Sequence, residues 1–276
     1  LFSASNADFS IVLKQFFYVF VGFIIMSLVS QPDPDIFRRT SGLLLIFSFL
    51  LLGVTYFFGP EINGAQRWVR FGPFSFQSSE LLKLSLPIFL ANFLFDKKLP
   101  IQRKEIFISL LIIFCCFFLV FRQPDLGTAL IIAFSGLFVL FLSGLSWGFI
   151  GGSFVLLLLS SPFIWNVLLQ PFQRQRIATF FNQDSDPFGA SWNIIQSKVA
   201  IGSGGLFGKG FREGSQTQLN FLPETETDFI FSVIGEEFGF LGVLLLLSIY
   251  LFLLLRCFYL ALSARDRFCR LVIGGL

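Results

Sequence analysis

FIFSVIGEEFGFLGVLLLLSIYLFLLLR, residues 229–256, is apolar along almost its whole length. A membrane-spanning helix needs about 20 largely apolar residues, so this run predicts a span and places the chain in a bilayer. It nevertheless carries two carboxylates, Glu236 and Glu237, and three more, Glu224, Glu226 and Asp228, stand just before or at its mouth in FLPETETDFI, residues 221–230. A charged side chain at membrane depth costs about 2.5–3.5 kcal/mol on insertion scales, so the acids need a reason. Two readings fit them. Either they form a site, or the first group opens a helix near its positive end while the inner pair is matched to Arg or Lys of neighbouring helices.

The rest of the chain agrees with a membrane protein. Of its 276 residues, 55 % are hydrophobic and 13 % charged, and the mean hydropathy is +0.79, which excludes a water-soluble domain with a polar surface. Seven candidate spans cover residues 13–30, 42–59, 79–95, 105–121, 127–145, 147–165 and 229–256. Several are short, which implies tilt or thin packing. The expected fold is an all-α polytopic membrane protein: six spans in 1–165, one long polar loop in 166–228, and a last span with a tail in 229–276. The 42 Phe run through every span and read as lipid-facing filler rather than stacking platforms, so no nucleic acid partner is expected.

The chain has no histidine, which removes Ser-His-Asp and Cys-His catalysis and His-based metal sites. Cys115 and Cys116 lie inside a span, Cys257 at a span end and Cys269 near the C-terminus, so neither a disulfide framework nor a CxxC site is supported. The net charge is only +3, but its placement is informative. Connectors 31–41, 96–105 and 256–270 hold Arg38, Arg39, Lys97, Lys98, Arg103, Lys104, Arg256, Arg265, Arg267 and Arg270. By the positive-inside rule they face the cytoplasm, and segments 59–78, 122–126 and 166–228 face outward. The opening LFSASNADFS lacks the basic start and apolar core of a cleavable signal peptide.

Four clusters then share the outward side. GAQRWVRFGPFSFQSSELLK, residues 64–83, places Glu80 and Lys83 at i, i+3 on one helix face. RQPDLGT, residues 122–128, puts Asp125 in a tight turn between spans. QRQR, residues 173–176, is followed by GSGGLFGKG, residues 202–210, in a loop too long to serve only as a connector. Its first part mixes basic and aromatic residues and suits an amphipathic segment on the membrane surface. The fourth cluster is the acid stretch ending in Asp228. If the spans bundle, Arg67, Lys83, Arg174, Arg176 and Lys209 approach Glu80, Asp125 and Asp228, a set suited to a phosphate-bearing amphiphile: cations for pyrophosphate, a carboxylate to take a proton from a hydroxyl. Each cation alone also reads as an interfacial anchor, and Glu80 with Lys83 also reads as an intrahelical ion pair. GSGGLFGKG matches the phosphate-loop pattern GxxxxGK[ST] only loosely, because Gly210 follows Lys209.

These clusters, read in order with QRQRIATFFNQDSDPFGASWNIIQSKVAIGSGGLFGKG and FLPETETDFIFSVIGEEFGFLG, resemble the successive signatures of the SEDS family (shape, elongation, division, sporulation) through nearly the whole chain. GSQTQLNFLPE with QRQRI is similar to the elongation branch rather than the division branch. The resemblance implies a peptidoglycan glycosyltransferase of the bacterial inner membrane that polymerises lipid II on the periplasmic side, works with a class B penicillin-binding protein, and has about ten spans when complete. On that reading the first span is largely missing here, as are the last two. It further implies that Asp228, in TDFIF, is the catalytic carboxylate, and that Arg67 and Trp68, Glu80 and Lys83, and Asp125 fall on family motifs. Ser78 stands where the family has Pro, and Glu226 where members commonly have His. Arg174, Arg176 and Lys209 complete the candidate substrate-binding set, and a divalent cation, Mg2+ or Mn2+, suits clustered carboxylates beside a pyrophosphate. Intramembrane acids and cations also mark translocation routes, so a flippase or transporter of the lipid-linked precursor is the alternative, and a non-catalytic fragment acting as a binding scaffold is another.

Overall fold

The computed structural model describes residues 2–4, 9–61, 66–71, 74–98, 101–181, 191–218 and 227–276. Among them the chain runs α1 (Phe9–Val29), α2 (Pro34–Phe58), strands β1 (Trp68–Phe71) and β2 (Phe74–Gln77), α3 (Ser78–Leu94), α4 (Arg103–Phe121), α5 (Leu126–Leu142) and α6 (Trp147–Phe163). A π-helical turn, Ile164–Leu168, leads to α7 (Pro171–Phe181), α8 (Trp192–Ser203), α9 (Ser215–Gln218), α10 (Ile230–Ser263) and α11 (Arg267–Gly275). The seven expected spans coincide with α1 to α6 and α10. Among the described residues α1, α2, α4 and α10 are long and apolar enough to cross a membrane. The apolar α5 has 17 residues, about 25 Å at about 1.5 Å per residue, a little short of a hydrocarbon core of about 30 Å.

The chain divides into two compact units, Leu1–Gln31 with Leu156–Leu253, and Pro32–Val155 with Leu254–Leu276. In the second unit α3 is the central element. Leu82, Leu86, Leu90 and Leu94 repeat every four residues and are fully buried, the stripe expected of a helix face turned into a core. Ser78, Ser79, Ser85 and Pro87 flank this stripe and are buried with it, and α3 packs against α2, α4, α5 and α11, while Leu84 stays half exposed. Small polar side chains join the helices: Ser48 Oγ donates to Ser85 Oγ at 2.9 Å and Asn92 Nδ2 to Ser41 Oγ at 2.9 Å. Such bonds hold bilayer helices together where lipid leaves little hydrophobic drive, at about 0.6–2 kcal/mol each. Gly136 lets α5 approach α4, since a Cβ there would lie 2.7 Å from Ile113 Cγ1.

Two expectations change in detail. Residues 166–228, expected as one long loop, contain α7, α8 and α9. The run 229–256 is not one straight helix either: at Gly239 φ is 64° and ψ −161°, a conformation essentially restricted to glycine, so α10 is a short helix, 230–238, broken from a long one, 240–263. By contrast α1 buries no residue, and the long part of α10 presents Leu244, Leu245, Leu251, Phe252 and Leu254 outward. These are surfaces suited to lipid.

Candidate active site

In the Pro32–Val155 unit, the hairpin β1–β2 pairs Trp68 with Gln77 and delivers the chain into α3. Gln77 Nε2 donates to Asp125 Oδ2 at 2.9 Å. Asp125 is the N-cap of α5: its Oδ1 accepts from Thr128 N at 3.2 Å and its Oδ2 from Thr128 Oγ1 at 3.0 Å, which satisfies one of the unpaired amides at the helix start. Arg67 braces the same turn from outside, Nε donating to Gln123 O at 3.0 Å and Nη2 to Pro124 O. Buried Gln123 donates in turn to Leu52 O of α2 at 3.3 Å. The RW, QSSE and QPDLGT motifs are therefore one hydrogen-bonded cluster. Gln77 and Gln123 were not among the candidate residues, and the signal for them was weak, because a glutamine beside a motif shows no partner 48 or 71 residues away.

Glu80 and Lys83 pair on α3 at 2.6 Å, with side chains 48 % and 28 % exposed. At that exposure the pair contributes about 0.5 kcal/mol or less to stability. It borders a cavity of about 420 Å³ lined by Phe76, Leu81, Leu84, Ile131 and Ser135. An apolar groove with one ion pair at its wall can accept a chain of hydrocarbon carrying a charged head.

In the other unit Asp228 lies in the turn 227–229, before the first residue of α10, and is exposed. Its carboxylate makes no side-chain hydrogen bond or ion pair among the described residues. Such an acid is available to accept a proton. Glu224 and Glu226 lie outside the described residues. The short helix that follows Asp228 is held by the glycine-rich segment. Lys209 N donates to Glu236 O at 3.0 Å and Gly210 N to Glu237 O at 3.1 Å, while Phe240 N and Leu241 N donate to Gly205 O at 2.9 Å and Leu206 O at 3.1 Å. The segment thus takes up backbone groups around the break at Gly239, groups that would be costly to leave unpaired in a buried place. The glycines permit this contact: a Cβ at Gly204 would lie 1.9 Å from Gly235 O, and one at Gly208, where φ is 82°, 2.0 Å from Glu237 O. GSGGLFGKG is built here for close backbone approach to a helix.

Lys209 Nζ bonds Glu236 Oε1 at 2.8 Å, so one acid inside the apolar run is matched to a cation, but from the glycine-rich loop between α8 and α9 rather than from a neighbouring helix as the second reading of the sequence expected. Arg174, in the first turn of α7, reaches back to the end of the preceding π-helical turn, Nε donating to Leu169 O at 3.0 Å and Nη2 to Asn166 O at 3.1 Å, a cation at the negative end of a helical segment. Arg176 lies on α7, with its side chain outside the described residues. Among the described residues no three of Cys, Asp and Glu converge as a metal-holding group.

The family described as "Cell cycle protein", covering FtsW, RodA and SpoVE, matches residues 2–276. The chain is 43 % identical over 276 residues to the peptidoglycan glycosyltransferase MrdB of Escherichia coli K12, covering all of this chain and 75 % of that protein. Among solved structures it is similar to a chain of a peptidoglycan synthase complex that coordinates polymerization and crosslinking, with a TM-score of 0.81 and 31 % identity over 98 % of this chain and 75 % of that one. It is also similar to the rod shape determining protein RodA of Thermus thermophilus, with a TM-score of 0.69 and 30 % identity over 100 % of this chain and 73 % of that one. Motifs, helical architecture and a match along the whole sequence lead to one conclusion: this chain is a bacterial membrane protein of the FtsW/RodA/SpoVE family.

Proposed function

We propose that the protein is a peptidoglycan glycosyltransferase that polymerises lipid II into glycan strands during cell elongation. The observation that carries the mechanism is Asp228: an exposed carboxylate with no side-chain partner among the described residues, at the head of a helix that is firmly held. The names of the relatives support the reaction class. In the reaction the acceptor sugar hydroxyl attacks the anomeric carbon of the donor. Its proton passes to Asp228, a new glycosidic C–O bond forms, and the bond from that carbon to the pyrophosphate oxygen breaks with inversion. Undecaprenyl pyrophosphate leaves with the bonding electrons. Arg67, Lys83, Arg174 and Arg176 are the candidate cations for the negative charge that grows on the leaving group, a stabilisation most effective when the donors are fixed beforehand. Arg67 uses two of its donors on Gln123 O and Pro124 O and has others left, since a guanidinium carries five.

A divalent cation, Mg2+ or Mn2+, would offset pyrophosphate charge, since such ions are often held by one or two carboxylates together with substrate phosphates; Glu226 is the acid of this stretch that would help recruit it, which leaves the Asp228 carboxylate to take the proton. The similarity to a synthase complex that joins polymerization to crosslinking supports a class B penicillin-binding protein as partner, with the acceptor and donor presented at the outer face of the inner membrane. In the test, Asp228→Asn keeps shape and removes the charge. Polymerisation of lipid II by the purified protein with its partner should fall by about 100-fold or more, the loss expected for a missing general base, with thermal stability unchanged. Normal polymerisation by Asp228→Asn would end the assignment, and movement of labelled lipid across a vesicle bilayer would then be the activity to measure.

A further inference from the structure

Glu236 and Glu237 are 0 % and 2 % exposed, and two adjacent buried carboxylates are unfavourable unless both are well partnered. The reaction above uses neither. Both are answered chiefly from one segment. Glu236 Oε1 accepts from Lys209 Nζ at 2.8 Å, Ser215 Oγ at 3.3 Å and Gln216 N at 3.0 Å. Glu237 Oε1 accepts from Arg212 N at 3.1 Å and from Ser3 Oγ. A second grip comes from α8, where the Ser197 and Ser232 hydroxyls are 2.6 Å apart and Gly235 packs under Ile201. Residues 230–238 are therefore cut from the long helix at Gly239, clamped beside that cut through Glu236 and Glu237, and held by α8 at Ser232 and Gly235. Asp228 stands at the other end of this short rod, about 12 Å away at about 1.5 Å per residue.

We infer that Glu236 and Glu237 are positioning residues for Asp228: the direction of the short helix, and with it the place of the Asp228 carboxylate, is set by their bonds to residues 209–216 and to Ser3. This rests on the reading of Asp228 as the base. Buried ion pairs contribute little net stability compared with apolar replacements but hold one geometry, and a displacement of about 1 Å at a reacting group can lower a rate by about 100-fold. The same arrangement gives Lys209 a role in the clamp rather than on the substrate.

Two variants of the full chain test this, Glu236→Gln, which keeps size and removes charge, and the double variant Lys209→Met with Glu236→Gln, which leaves neither partner charged and unpaired. A trifluoromethyl label on Thr227→Cys, attached with a membrane-impermeant reagent, reports the turn that carries Asp228 by its 19F resonance. Positioning predicts that the resonance shifts or broadens in both variants. It also predicts that kcat on lipid II falls by about 100-fold while KM changes by less than about 3-fold, the pattern of an interaction felt only in the transition state. If Glu236→Gln does not accumulate, the double variant decides alone. A 19F signal that stays in place overturns the inference whatever the rate does. A raised KM with unchanged kcat also overturns it and makes Lys209 a substrate ligand. The base assignment is judged separately by Asp228→Asn: normal polymerisation there ends that assignment, while the label at position 227 still reports whether the clamp sets the turn.

Discussion

Asp125 accepts three hydrogen bonds, two from Thr128 and one from Gln77, and so joins the start of α5 to the start of α3. Asp125→Ala removes all three, and loss of the cap alone is expected to destabilise the protein by about 1–2 kcal/mol. Asp125→Asn keeps the cap, because Asn is as good an N-cap as Asp, and should lose less than half as much. Thermal melts in detergent check the order. If polymerisation by Asp125→Asn tracks its small loss of stability, the residue acts through geometry; a dead enzyme with an unchanged melt returns Asp125 to the substrate. The motif DLGT shows an acid in a turn, and from sequence that turn reads as a place for a site residue. That it caps α5 comes from the structure, although an Asp just before an apolar run is a helix-start signal. The bond from Gln77 was not legible at all, since it spans 48 residues and nothing local announces it.

At the scale of elements the informative departure is α10. Apolar content correctly predicts a span there, but hydropathy is blind to a single residue with φ of 64° and ψ of −161°. The two acids were the visible sign that something other than lipid meets this stretch. Gly239→Ala should be severe. It places a side chain in a backbone region that costs about 1–3 kcal/mol in strain, and its Cβ would lie 2.3 Å from Gly208 N. Gly22 in α1 and Gly53 in α2 have nothing within 4 Å of such a Cβ, and Ala there should be neutral or stabilising by up to about 1 kcal/mol through helix propensity. Detergent melts of the three variants provide the comparison; a Gly239→Ala protein as stable as Gly53→Ala would mean that the break is not required. The same reasoning explains why the glycine-rich segment was hard to read. A row of glycines shows that the backbone comes close to something, and only the fold shows that the neighbour is a broken helix.

At the scale of the molecule, the Pro32–Val155 unit with Leu254–Leu276 has two chemically different ends. Helices α3 and α5 start beside Arg67, Gln77, Glu80, Lys83 and Asp125. At their other ends Arg267 turns inward from α11 and donates to Phe95 O at 3.2 Å, to Lys97 O at 2.5 Å and to Ser143 O at 3.5 Å. A cation set against carbonyls at the ends of two helices offsets their dipoles, so one of the basic residues expected as a cytoplasmic flank is a staple. Arg38, Lys97, Lys98, Arg103 and Lys104 belong to the same end by their positions at the start of α2, after α3 and at the start of α4. Lys and Arg concentrated there, with the motif acids at the opposite end, is the asymmetry that the positive-inside rule turns into an orientation. We expect the motif end to face outward. Ser75 in β2 and Gln102 before α4 are both exposed, one at each end of the unit, and in a background with Cys115, Cys116, Cys257 and Cys269 replaced, each can be made the single cysteine. Ser75→Cys should react with a membrane-impermeant thiol reagent in intact spheroplasts, and Gln102→Cys only after lysis. Since α3 and α5 both begin at the motif end, the reverse labelling pattern would invert the whole unit, turning the apolar groove beside Glu80 and Lys83 toward the cytoplasm and removing the basis for polymerisation at the outer face.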